Sequence, residues 1–198
     1  MSGIMEWKKK LDDDLIAVAW MGESQRAASL IRKGADPGAR NKLGNQPLHI
    51  AAQKGYRAMA ELLVASGAKI DAGGADDWQP LHFAAAYGHK DVVEFLLARG
   101  ALVDAAEIHG WQPLHYAAQN ADREIVKFLL AHDADPAAVT GDGKTPQTLC
   151  PKRRLRILLE KAVREWPARE EARKREAMSE HLKRQRALGS LRPKAPGL

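Results

Sequence analysis

A proline recurs at a fixed step of 33 residues, at Pro47, Pro80, Pro113 and Pro146, and around the first three the neighbouring residues repeat with it. The blocks read Asn45-Gln46-Pro47-Leu48-His49-Ile50-Ala51-Ala52, Trp78-Gln79-Pro80-Leu81-His82-Phe83-Ala84-Ala85 and Trp111-Gln112-Pro113-Leu114-His115-Tyr116-Ala117-Ala118. A period of this length marks a solenoid, because one unit is too short to enclose a core and must bury its apolar face on the next.

Each period reads as two helices. After Pro80-Leu81-His82 come Gly88, then Val92, Val93, Phe95, Leu96 and Leu97, then Gly100-Ala101. Spacings of three and four put the second apolar set on one helical stripe. Proline opens the first helix, where a missing N–H costs nothing, and glycine follows the second, where a left-handed residue is wanted.

Proline-Leu-His-x-Ala-Ala at the start of a unit and Gly-Ala near its end resemble the ankyrin repeat family over residues 12–150. The resemblance implies an all-α ankyrin-repeat solenoid of about five repeats, degenerate caps included, with a basic C-terminal helical extension. Three departures stand out. Gln46, Gln79 and Gln112 take the place of the family's threonine, Asp77 that of the hairpin-tip glycine, and Asp133 that of the terminal glycine, which predicts altered local turns in the same fold.

Stepping the register back from Pro47 aligns Leu15 with Leu48, Gly22 with Gly55 and Gly34-Ala35 with Gly67-Ala68, so residues 12–40 read as an N-terminal cap behind an extension at 1–11. Full repeats follow at 41–73, 74–106 and 107–139. A shortened repeat at 140–166 keeps Pro146 but loses the Leu-His pair, and Leu155, Leu158, Leu159 and Val163 supply its second apolar stripe. The ankyrin domain is thus expected over 12–166, with a basic helical tail over 167–198 in which Pro167 starts a new helix ending before Gly189. Pairs of the order Glu170 with Lys174, Glu171 with Arg175 and Glu180 with Arg184 would support that helix.

The net charge of +6 conceals a division along the chain. Residues 1–150 carry 16 basic and 19 acidic residues, whereas 151–198 carry 15 and 6. Such asymmetry points the tail towards an acidic partner, either an acidic protein or RNA. Candidate contacts are Arg153, Arg154, Arg156, Arg173, Lys174, Arg175, Lys183, Arg184 and Arg186. Only Trp166 is aromatic there, so base stacking is poorly served and backbone contacts would dominate. No apolar run reaches the length of a membrane span, and Glu6 with Asp12, Asp13 and Asp14 argues against a secretory signal. One cysteine, Cys150, permits no intrachain disulfide, so an intracellular setting is expected, not a secreted one.

Residues with catalytic or metal-binding chemistry do not converge. His49, His82 and His115 recur one repeat apart, at about the 10 Å of packed helices, too far for shared coordination at about 2 Å. They are expected to hold loops by hydrogen bonds. Gly143-Lys144-Thr145 looks like the end of a phosphate-binding loop, but Ala138 replaces the required glycine and Pro146 interrupts the helix that must follow. No enzyme activity, cofactor, metal or small-molecule substrate is expected.

The ankyrin resemblance implies binding of proteins on the concave face made by hairpin tips and first helices. Carried over position by position, that face offers Leu43, Asn45, Asp76, Trp78, Tyr87, His109, Trp111, Asn120 and Lys144. Trp78 and Trp111 hold equivalent tip positions and read as interface anchors. Asp76, Asp77 and Asp142 beside them favour a ligand with Lys or Arg next to an apolar residue. On this reading, removing both tryptophans abolishes binding and barely changes stability. The chain is expected to be a protein-interaction module, an adaptor or an assembly subunit. Two alternatives are a ribonucleoprotein subunit anchored by the tail and an inhibitor or immunity-type protein that blocks an enzyme.

Overall fold

The computed structural model describes residues 2–189, with side chains omitted for 2–4, 182 and 185–189. The described residues form ten α-helices and no strand. They are α1 (Ser2–Met21), α2 (Ser24–Arg32), α3 (Pro47–Lys54), α4 (Arg57–Ala65), α5 (Pro80–Ala86), α6 (Lys90–Ala98), α7 (Pro113–Gln119), α8 (Arg123–Ala131), α9 (Pro146–Leu149) and α10 (Arg153–Gly189). The first helices α1, α3, α5, α7 and α9 pack in sequence as an inner layer, and α2, α4, α6 and α8 form an outer layer. One continuous core runs between them, from Leu11 and Leu15 through Leu48, Leu63, Leu81, Leu96, Leu114 and Leu129 to Leu155 and Leu159.

The repeats are joined by their histidines. Nδ1 of His49, His82 and His115 accepts the N–H of Gln46, Gln79 and Gln112 at 3.0, 3.0 and 3.1 Å. An amide can only donate, so the ring proton sits on Nε2. From there His49 donates to the carbonyls of Ala72 and Trp78, and His82 to those of Ala105 and Trp111, both in the following loop and hairpin. His115 reaches Ala138 in the same way. Each imidazole therefore caps its own helix and holds the start of the next repeat, a longer reach than the sequence suggested.

Three local expectations change. Asp133 does not alter its turn, because it adopts the left-handed conformation (φ 64°) that Gly100 adopts one repeat away, whereas the tip at Asp77 is altered as expected, a short 3-10 turn over Ala75–Asp77 with Asp76 and Asp77 both left-handed (φ 52° and 58°). The residues assigned to an N-terminal extension belong to α1, and Leu11 is buried against the cap. Pro167 does not begin a helix but lies inside α10. Glu165 pairs with Lys161 before the proline and with Arg169 after it, and Arg173 reaches Asp133 at 3.5 Å, but these exposed pairs contribute little and do not by themselves explain the proline. No described helix is long and apolar enough to cross a membrane.

Candidate protein-binding face

Each hairpin is closed by backbone bonds, Asn41 to Asn45, Gly74 to Trp78, Glu107 to Trp111 and Thr140 to Lys144. Neighbouring tips are also tied to each other. The N–H of Ile108 donates to the carbonyl of Asp76 (3.2 Å) and that of Gly141 to the carbonyl of His109 (2.7 Å). Loops fastened on both sides make a pre-formed surface, which lowers the entropy cost of binding.

Aromatic residues from two kinds of position interleave on this surface. The residue after the histidine is Ile50, Phe83 or Tyr116, and Phe83 and Tyr116 project beside the tryptophan of their own tip. Trp78 lies between Phe83 and Tyr116 with ring centroids 4.8 and 4.6 Å away, and Tyr116 meets Trp111 at 4.9 Å. Both tryptophans are half-buried. Removing Trp78 would leave a gap between Phe83 and Tyr116, and removing Trp111 would uncover Tyr116, so their loss should cost stability, contrary to the expectation from sequence.

A cavity of about 630 Å³ opens on this ladder, lined by Asp76, Trp78, Glu107, Ile108, His109, Trp111, Tyr116, Gln119, Gly141 and Asp142. It brings together five residues named from sequence, Asp76, Trp78, His109, Trp111 and Asp142. Tyr87 and Asn120 line a separate, shallower hollow with Arg123 and Glu124. There Gln53 donates to the Tyr87 hydroxyl and Asn120 to the carbonyl of Ala86. Asn45 is occupied structurally, accepting the N–H of Ala75, and Lys144 pairs with Asp142 at 2.8 Å. Leu43 stands 69% exposed at the first tip.

Sequence reasoning passed over Tyr116 and Glu107. Tyr116 was legible as the variable residue of the Pro-Leu-His-x-Ala-Ala block, aromatic in two repeats of three. Glu107 gave no signal, because its burial follows from the closing of the hairpin over it. Burial and the carboxylate of Glu107 both push the Tyr116 phenol up, so it remains neutral across the physiological range.

Among the proposed tail contacts, Arg153, Arg154, Arg156, Lys183 and Arg184 are exposed. Lys174 and Arg175 pair within α10 with Glu170 and Glu171, and Arg173 faces Asp133. The side chain of Arg186 lies outside the described residues. Cys150 is buried and its thiol lies 3.6 Å from the Lys152 carbonyl.

A family model described as ankyrin repeats (3 copies) matches residues 15–107 and again 76–140. The chain belongs to the ankyrin repeat family. Ankyrin repeats are in general protein–protein interaction modules, typically without catalytic activity. No curated protein matches the chain.

Proposed function

We propose that this ankyrin protein is a non-enzymatic adaptor or assembly subunit that grips a protein partner on its concave face. The observation that supports this most is the half-open ladder of Trp78, Tyr116 and Trp111 under a cavity with acidic walls. On the same face stand exposed apolar side chains, Leu43 at 69%, Ile108 at 56% and Tyr87 at 54% exposed, the last with its hydroxyl held by Gln53. Rigid aromatic area with an apolar rim is what interface hot spots are made of. The basic helix α10 acts as a second attachment, to an acidic surface.

The test is capture from native extract with the full chain and with Leu43→Ser, Tyr87→Ser and Ile108→Ser combined, which trims exposed apolar area and spares the ladder. A stoichiometric protein partner held by the native chain, insensitive to nuclease and lost with the triple variant, is the expected result. A nuclease-sensitive catch that survives the triple variant would reverse the reading and make the tail of a ribonucleoprotein subunit the principal contact. A captured enzyme that loses activity would identify the inhibitor form of the same concave grip.

A further inference from the structure

The four hairpins open on residues in equivalent register, Asn41, Gly74, Glu107 and Thr140. Three of these carry polar side chains that bond back across their own hairpin. Asn41 Oδ1 accepts the N–H of Leu43 and Asn45, Thr140 Oγ1 accepts the N–H of Lys144, and Glu107 Oε1 accepts the N–H of Trp111 at 2.9 Å. Asn41 and Thr140 do this without charge. Closing the third hairpin therefore does not explain why the residue is a carboxylate.

Its surroundings are distinctive. Glu107 is only 5% exposed and lines the cavity, its Oε1 is taken by the Trp111 N–H, and no Lys or Arg among the described residues forms an ion pair with it. Tyr116 and His82 both feel the Glu107 carboxylate, and both are neutral at neutral pH. A largely buried carboxylate with no cation beside it, lining a cavity, is answered best by a cation entering from outside. Asp76, which lines the same cavity, makes no ion pair among the described residues, whereas Asp142 is already held by Lys144 and Thr140.

We infer that the cavity over Trp111 and Tyr116 is an arginine subsite, with Glu107 as its charge partner. This inference rests on the protein-binding reading above and adds the side chain that the partner inserts. A guanidinium suits the cavity better than an ammonium. It is flat enough to lie against the tryptophan or tyrosine face, it is weakly hydrated and so gives up water readily, and its planar donors can serve Glu107 and Asp76 together. Burying one arginine would neutralise a carboxylate that the free protein leaves unmatched.

The five tryptophan indole N–H groups supply the test, because Trp7, Trp20 and Trp166 lie outside the cavity and serve as internal controls. The 15N-labelled full chain is titrated with blocked leucyl-arginine, leucyl-lysine and leucyl-citrulline amides. Saturable shifts confined to Trp78 and Trp111 are expected with the arginine peptide, binding roughly tenfold weaker with lysine, and no saturation with citrulline, which keeps the shape without the charge. Glu107→Gln keeps an acceptor for the Trp111 N–H, so the hairpin persists while arginine binding drops by at least about tenfold. Equal response to arginine and citrulline, no saturable shift with any peptide, or full arginine binding by Glu107→Gln would overturn the subsite. Partner capture separates the two levels. Loss in the triple serine variant with retention in Glu107→Gln leaves the protein-binding face standing without this subsite, whereas retention in both removes the face itself.

Discussion

Mild acid weakens this fold before its carboxylates titrate. His49 is 1% exposed, and burial pushes its imidazole down to about 4 from an ordinary 6.5, against the smaller upward pull of the Ala72 and Trp78 carbonyls. Protonation would turn Nδ1 into a donor facing the Gln46 N–H. In the unfolded chain the ring takes up its proton near 6.5, so below that pH the unfolded state binds more protons and stability falls. The contribution is complete above 6.5 and fully lost below about 4. For His49 alone the linkage gives a loss of about 2 kcal/mol at about pH 5, rising to about 3 kcal/mol at the acid end. Burial lowers His82 and His115 as well, so they steepen the decline, while Asp104, raised by burial, opposes it only within the carboxylate range. Urea unfolding followed by circular dichroism at about pH 7.5 and about pH 5 measures the difference directly. The native chain should lose at least about 2 kcal/mol, a large share of a typical domain's stability. His49→Gln should be weaker at the higher pH and lose less on acidification. Equal native stability at the two pH values, or a His49 resonance that titrates near 6.5, would refute the reasoning.

Two stability comparisons test the local arguments. Gly55 and Gly88 have nearly the same φ, 72° and 78°, but a Cβ on Gly55 would run into the His89 ring, itself fixed to the Gln53 carbonyl, whereas one on Gly88 meets only Asp122 at 3.7 Å. Gly88→Ala should cost about 1 kcal/mol and Gly55→Ala roughly 3 kcal/mol in denaturant unfolding. Equal losses would mean that the histidine moves freely. Gln79 turns its side chain towards the N3 amide but its buried Oε1 makes no hydrogen bond of normal geometry, while Thr145 in the equivalent position accepts the N–H of Thr148 at 3.3 Å. Gln79→Thr should therefore stabilise the chain by about 1 kcal/mol, read as a higher urea midpoint.

The repeat architecture was legible because its signals are local and recur in phase. Proline at the first turn, the histidine after it and the glycine past the second helix all report on backbone geometry within a few residues. The same locality misled at Pro167, where the rule for an isolated helix predicts a start and the helix runs through the proline instead. At Trp78 and Trp111, tip position alone suggested exposure. Whether a ring stacks or stands free is decided by its neighbours in space, here by Tyr116, which meets Trp78 from the next repeat and Trp111 from the same one. Glu107 was hidden for a related reason, since nothing in the sequence shows which tip residue its neighbours will cover.

Hydrogen exchange of the full chain, free and bound to its captured partner, tests most directly that the concave face does the gripping. Binding there predicts new protection concentrated in the hairpins at 74–79, 107–112 and 140–145, with the outer helices α4, α6 and α8 unchanged. Protection confined to α10, with the hairpins exchanging as in the free chain, would contradict the account.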